Sequence, residues 1–173
     1  GSVTLEPGIV CTGDVDNETY TFATTEAIST NVVSQINPDD GQPVNVAKFE
    51  NISVFQGTYL EKTFNYDGSL DQRFILDNSF IDTSKIVVFV RPSGQGIDTG
   101  VQYSLVNDII NVNSESKIYL INEIQDERYE LKFGDGFFGK KLGNSPLDDG
   151  NEILVRYIVT DGPTGNGASN FSF

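Results

Sequence analysis

The fold of this chain is decided by residues 128–136, which read Arg-Tyr-Glu-Leu-Lys-Phe-Gly-Asp-Gly. Alternate positions carry the apolar side chains Tyr129, Leu131 and Phe133, and the positions between them are charged. Such alternation is typical of a strand with one buried face. The Asp-Gly pair that follows favours a reversing turn, because glycine accepts a positive φ without a Cβ clash. The stretch therefore predicts a strand that ends in a tight turn.

Short runs of this kind extend along the whole chain, separated by Pro, Gly, Asp and Asn. No segment keeps a 3.6-residue apolar period over a helix length. We therefore predict a mainly β fold, an antiparallel β-sandwich-like domain with little helix. A turn is expected at 12–14, one turn of helix at 24–30 and a bend at 121–126. The expected strands are 3–11, 19–24, 32–36, 44–56, 58–66, 73–76, 85–91, 101–105, 117–121, 128–133 and 152–160.

Glycines in the C-terminal third are expected to shape turns and not to bind phosphate. Residues 134–139 read G-D-G-F-F-G and formally fit the dinucleotide-binding pattern, but a phosphate loop needs a helix directly after it. No helix-length segment follows this stretch or the glycine-rich stretch 162–167. We assign a structural turn role to Gly134, Asp135, Gly136, Gly150, Gly165 and Gly167.

A change of composition divides the chain near residue 43. Proline and glycine cluster at 38–43, and the first basic residue of the chain is Lys48. We predict that residues 1–2 are a cloning scar, that 3–43 form an N-terminal β segment or a subdomain packed on the rest, and that 44–173 form the larger β domain. Because the chain has no Met, we expect it to be a fragment of a larger protein.

The charge of the chain is strongly acidic, with 25 Asp and Glu against 11 Lys and Arg and a net charge of −14. Nucleic acids and anionic membranes are bound through Lys and Arg, so neither is expected as a partner. No apolar run approaches the length that spans a membrane. The surface is that of a soluble acidic domain, or it includes a face complementary to a basic partner.

Few side chains in the sequence can carry catalysis. There is no His, and Cys11 is the single cysteine, which excludes Ser-His and Cys-His catalysis and His-Cys zinc sites. Asp14, Asp16 and Glu18 alternate and offer oxygen ligands for calcium, but the stretch fails the EF-hand pattern, so a solvated loop is favoured. A two-carboxylate hydrolase is not marked by any pair, and there is no Trp for a sugar platform. We predict no enzyme, no cofactor and no metal.

The order of motifs after residue 132 resembles a known family. F-G-D-G at 133–136 is followed by G-K at 139–140, P-x-D-x-G-N at 146–151, V-x-Y at 155–157 and G-x-x-G-N-G at 162–167. This order is similar to that of the baseplate J-like proteins of contractile phage tails, especially the baseplate wedge proteins of T4-type phages. The resemblance implies a viral structural protein of the virion tail baseplate, assembled in the host bacterial cytoplasm, whose partners are other wedge proteins and copies of itself.

The residues expected to touch such partners lie in the two glycine-containing loops: Phe137, Phe138, Lys140, Lys141 and Asn166. Because Phe137 and Phe138 are adjacent, one of them points outward if they lie in a strand. Either that side chain anchors a partner or both side chains tuck into the core of the domain. The isolated fragment is expected to be monomeric, since ring closure needs the missing parts. The alternative function is a β-sandwich module of a phage tail that binds a glycan or a host receptor.

Overall fold

The computed structural model describes residues 1–92, 94, 100–108, 110–143 and 152–173. Over these residues fourteen strands form three sheets, connected by loops and short 3₁₀ turns. The mainly β, largely antiparallel fold predicted from the sequence is confirmed. The strands are β1 (Ser2–Leu5), β2 (Gly8–Val15), β3 (Glu18–Thr24), β4 (Ile28–Ile36), β5 (Pro43–Ala47), β6 (Phe55–Gln56), β7 (Thr58–Asn65), β8 (Phe74–Leu76), β9 (Val87–Arg91), β10 (Val101–Leu105), β11 (Ile118–Ile124), β12 (Arg128–Phe133), β13 (Glu152–Val159) and β14 (Ser169–Ser172).

A seven-stranded sheet with the order β7-β13-β9-β10-β11-β12-β8 forms the body of the described fold. β13 is buried on both faces from Ile153 to Ile158, and β7 and β9 pair with its two edges. β10 and β11 run parallel, whereas the other neighbours in this sheet are antiparallel. The apolar cluster inside the curled sheet includes the fully buried side chains of Leu76, Val88 and Val155.

The two edge strands of this sheet, β7 and β8, approach each other and nearly close a barrel. The Nζ atom of Lys62 on β7 donates to the carbonyl oxygen of Ile75 at 2.8 Å and to the Oδ2 atom of Asp77 at 2.5 Å. Phe64 and Phe74 meet edge to face across the same gap, with ring centroids 5.6 Å apart. Side chains therefore connect two edges that are not joined by a strand ladder.

A four-stranded sheet with the order β14-β2-β3-β6 packs beside the barrel. Its β2–β3 hairpin turns at Asp16 and Asn17, whose φ values of 48° and 69° fit a two-residue turn of the primed type. The turn expected at 12–14 is wrong, because Gly13 lies inside β2. A Cβ atom at Gly13 would come within 2.7 Å of the Phe171 ring, so the glycine makes room for an aromatic side chain from β14.

The remaining sheet has the order β1-β4-β5 and is largely exposed on both faces. We call β4, β5 and the turn between them the β4–β5 arm. The expected boundary after residue 43 falls at the start of β5, one strand of this arm. Ser2, assigned to a cloning scar, pairs with Asn31 as part of β1.

Several local expectations fail for identifiable reasons. The helical turn expected at 24–30 is wrong, because Ile28 already starts β4, whose partners β1 and β5 satisfy its backbone. The single strands expected at 3–11 and 44–56 are each broken into two strands that belong to different sheets. The bend expected from 121 begins later, because β11 continues to Ile124 before a 3₁₀ turn.

Candidate partner-contact site

The loop that follows β12, residues 134–141, is held in shape by its own carboxylate. The Oδ1 atom of Asp135 accepts hydrogen bonds from the backbone N–H groups of Phe137 and Phe138, both at 2.8 Å. These two bonds, that from Phe138 first, lower the pKa of Asp135. The N–H of Gly136 donates to the carbonyl of Gly139 at 3.0 Å. We call this segment the aromatic loop.

The aromatic loop is also tied to the body of the protein at its C-terminal side. The N–H of Gly139 donates to the carbonyl of Asn113 at 3.0 Å, and that of Lys140 donates to the carbonyl of Ser116 at 2.8 Å. Leu142, two residues after Lys140, has its side chain buried in the barrel core. The loop is therefore fixed by backbone hydrogen bonds and by an apolar anchor.

Two glycines make this close packing possible. A Cβ atom at Gly134 would lie 2.1 Å from the carbonyl carbon of Gly139. Gly139 has a φ of +89°, and a Cβ atom there would lie 2.7 Å from Ile118 Cγ1. A larger residue at position 139 would have to push the loop away from β11, and one at position 134 would collide with the loop's own backbone.

The side chains that the loop displays are apolar and face the solvent. Phe137 is 81% exposed and Phe138 is 53% exposed, so neither tucks into the core of the domain. Lys141 is exposed beside them and pairs its backbone with Gly134 in a short bridge. A hydrogen-bonded loop that exposes two aromatic rings is typical of a protein contact surface.

The glycine loop, residues 162–167, lies at the opposite end of the seven-stranded sheet from the aromatic loop. β13 is antiparallel to β9, β9 is antiparallel to β10, β10 is parallel to β11, and β11 is antiparallel to β12. β12 and β13 thus run in opposite directions, so the loops that follow them leave opposite ends of the sheet. The structure therefore brings Phe137, Phe138, Lys140 and Lys141 together, but it does not bring Asn166 to them.

Within the glycine loop, the turn residues have distinct roles. Gly165 is buried, and a Cβ atom there would lie 2.6 Å from Gln56 Cγ. The N–H of Asn166 donates to the carbonyl of Pro163 at 3.1 Å, and Gly167 has a φ of +87°. Gly150, which was also assigned to a turn, lies outside the described residues.

Two basic residues that the sequence did not assign to the partner-contact set join the aromatic loop. Arg91 ends β9 and Lys117 precedes β11, and together with Lys140 and Lys141 they line a cavity of about 110 Å³. We call it the basic pocket. More than 20 positions separate each of Arg91, Lys117 and Lys140 from the next along the chain, so only the strand order reveals the group.

Phe80 is a further exposed aromatic residue that the sequence did not mark. It is 64% exposed and has a φ of +59°, a strained conformation for a bulky residue. Its carbonyl accepts a hydrogen bond from the N–H of Thr160 at 2.9 Å, which holds it beside the end of β13.

The residues considered for calcium or for reactivity have other surroundings. Asp14 accepts a hydrogen bond from the Thr19 hydroxyl at 2.8 Å. Among the described residues, no group of three or more Cys, Asp or Glu side chains is placed to hold a metal ion. Cys11 is buried, and this burial raises the pKa of its thiol. The part of the chain that is described has no helix long and apolar enough to cross a membrane.

No protein-family model matches the chain, and no curated protein matches it.

Proposed function

We propose that this chain is a non-enzymatic structural module of a contractile phage tail baseplate. It is part of a wedge subunit that assembles with copies of itself and with other wedge proteins in the virion. The observation that carries this proposal is the aromatic loop, which is held by hydrogen bonds to Asp135 and yet exposes Phe137 and Phe138.

An ordered loop of this kind suits binding energetically. Burying one exposed Phe side chain contributes roughly 1.5–3 kcal/mol. The loop is already held by Asp135 and by the carbonyls of Asn113 and Ser116, so little conformational entropy is lost when a partner docks. Contacts centred on large aromatic side chains commonly dominate protein interfaces.

The order of motifs supports the choice of assembly. F-G-D-G at 133–136 joins the end of β12 to the aromatic loop. This motif and G-x-x-G-N-G at 162–167 resemble those of the T4-type wedge protein known as gene product six. A wedge protein would pass receptor engagement on to sheath contraction by rearranging its interfaces, without a chemical step. The partners in this proposal are proteins, with no role for nucleic acid or membrane.

A second function, glycan or receptor binding, is supported by one cleft. The cleft, about 610 Å³, lies between the N-terminal strands and β9–β11 and is lined by Glu26, Glu50 and several hydroxyl side chains. Its lining includes the half-buried ring of Phe55, which is covered by Lys85, whose Nζ lies 3.8 Å from the ring centroid. Because a sugar platform needs a free aromatic face, this candidate ranks below the scaffold.

Native mass spectrometry of the full-length parent protein, co-expressed with the neighbouring tail proteins, tests the proposal. We expect a complex of defined stoichiometry that is lost in Phe137→Ser/Phe138→Ser. The matched control is Ile9→Ser, which removes an apolar side chain that is 60% exposed on β2. A complex that survives the double substitution would argue against the aromatic loop as the contact. A parent that binds no tail protein but binds glycans would replace the scaffold by the recognition module.

A further inference from the structure

Asn166 is the only asparagine of the chain that is followed by a glycine. Asparagine is a thermolabile residue, because the backbone nitrogen of the next residue can attack its side-chain amide. A glycine in that next position leaves the nitrogen unhindered and the backbone free to turn, since it has no Cβ atom. The Asn166–Gly167 pair therefore has the chemistry that deamidation requires.

The structure leaves the Asn166 side chain free to react. Asn166 and Gly167 are both exposed, and the Asn166 amide forms no hydrogen bond with a described residue. Asn166 has a ψ of 136°, so the attack requires a rotation about this bond. Gly167 permits the rotation, because it is exposed and nothing lies within 4 Å of the place where a Cβ atom would be.

The Asp-Gly pairs of the described turns differ from Asn166–Gly167 in two respects. Each of these aspartates has a side-chain oxygen that accepts a hydrogen bond, with donors between 2.5 and 3.0 Å away. They are Asp40, Asp67, Asp135 and Asp161. A side chain held in this way is kept from the backbone nitrogen, and an ionised carboxylate lacks the amide leaving group. Among the described turns, the reactive pair is thus Asn166–Gly167.

We propose that Asn166 is a site of spontaneous deamidation. Solvent hydroxide takes the proton of the Gly167 N–H, and the nitrogen attacks the side-chain carbonyl carbon of Asn166. The new C–N bond closes a succinimide ring, while the bond to the side-chain nitrogen breaks and that nitrogen leaves as ammonia with a proton from water. A second water molecule opens the ring, adding its hydroxyl group to either carbonyl carbon and its hydrogen to the ring nitrogen, which gives aspartate or isoaspartate.

The products change the link between the glycine loop and β14. Both add a negative charge to the loop, and isoaspartate also places its side-chain methylene in the main chain, which lengthens the backbone before β14 begins at Ser169. β14 is an edge strand whose four residues are exposed and whose register with β2 shifts between Ser169 and Ser172. Isoaspartate at position 166 therefore loosens the pairing of β14.

Peptide mapping by mass spectrometry, with enzymatic methylation of isoaspartate, tests the site on the 173-residue chain kept at mildly alkaline pH. Asn166 should deamidate at least about tenfold faster than Asn170, which is also exposed but precedes Phe171. Gly167→Ala has space for its methyl group and should slow the reaction by a similar factor. Asn166→Gln keeps an exposed amide but needs a larger ring, so position 166 should stay unmodified. Thermal unfolding of both variants serves as the control for folding.

Hydrogen exchange of the separated isoaspartate form tests the effect on β14. Amides of β14 should exchange faster than in fresh protein, while those of β13 stay protected. An Asn166 that keeps its amide, an equal rate at Asn170, or a Gly167→Ala chain that reacts as fast as the wild type would each refute the site. Unchanged exchange in β14 would refute the loosening. The proposal does not rest on the scaffold function, which would fail instead if the unmodified parent bound no tail protein.

Discussion

Arg73 and Glu130 form a two-pronged ion pair across the edge of the barrel. The Nε and Nη2 atoms of Arg73, which precedes β8, lie 2.7 and 3.0 Å from the two carboxylate oxygens of Glu130 on β12. Glu130 is 8% exposed, whereas the Arg73 side chain is largely exposed. The pair fastens a three-residue edge strand to the sheet through matched planar groups.

This pair should make stability depend on pH in the acidic range. Hydrogen bonds from Arg73 lower the pKa of Glu130, so the folded state binds a proton less readily than the unfolded chain. The stabilisation is present above the unfolded pKa of about 4.3 and is lost as the pH falls through the folded pKa. We expect Glu130→Gln to lower the urea midpoint at pH 7 and to flatten its decline below pH 5. Glu123→Gln changes an exposed residue of the neighbouring strand β11 and should leave both the urea midpoint at pH 7 and its decline below pH 5 unchanged. Equal pH curves for the two variants would contradict the role of the Arg73–Glu130 pair.

The aromatic loop should depend on steric fit at Gly139. Gly139 and Gly68 both have a positive φ, but a Cβ atom at Gly139 would meet Ile118, whereas the space around Gly68 is open. Gly68→Ala should cost about 1–2 kcal/mol from the backbone conformation alone. Gly139→Ala should cost clearly more, because the contact with Ile118 adds to the same strain. Chemical denaturation measures both, and equal losses would show that the loop yields without cost.

The hydroxyl of Tyr119 should be essential to the core. It donates to the carbonyl of Ile86 at 3.0 Å, and burial raises the pKa of Tyr119 to about 12. Tyr119→Phe should cost about 1–3 kcal/mol, because the buried carbonyl loses its donor.

The Tyr119 hydroxyl should also make the stability of the folded state depend on pH in the alkaline range. Its pKa is raised in the folded state, so its stabilisation is complete below the unfolded pKa of about 10 and is lost as the pH rises towards 12. Unfolding midpoints between pH 9 and 11 should fall less steeply in Tyr119→Phe than in the wild type. Identical slopes would mean that the phenol ionises without unfolding the chain.

Closure of the barrel should depend on Lys62. Lys62→Met keeps an aliphatic side chain against Phe64 but removes the donor to the carbonyl of Ile75 and the ion pair with Asp77. We expect amide hydrogen exchange to accelerate in β8 while β13, buried in the sheet, stays protected. Uniform acceleration across both strands would indicate global destabilisation instead of opening of the seam.

Strand patterns predicted much of the fold because their information is local. β7, β12 and β13 were located within one or two residues, since alternation and turn residues mark them in the sequence. β14 was missed, because Ser169–Ser172 has no apolar alternation and exists as a strand through its pairing with β2. The helical turn expected at 24–30 failed for a similar reason: sheet neighbours outweighed a weak local preference.

The residues of the candidate site likewise divide into those that the sequence predicted and those that only the structure revealed. Phe137, Phe138, Lys140 and Lys141 were found because they are consecutive or nearly so, whereas Arg91 and Lys117 join them only through strand order. Only the structure shows that both phenylalanine rings are exposed. The sequence left open that both pack into the core, because that packing depends on which residues lie beneath the loop.

The sequence by itself determined the class of fold, the positions of most strands and the acidic character of the surface. These properties arise from side-chain alternation, turn chemistry and charge, which act within a few residues. Tertiary structure alone decided that the two loops leave opposite ends of the sheet, that the barrel nearly closes through Lys62, and that four cations share one pocket. Those relations depend on which strands pair over long sequence separations, and no local pattern specifies that choice.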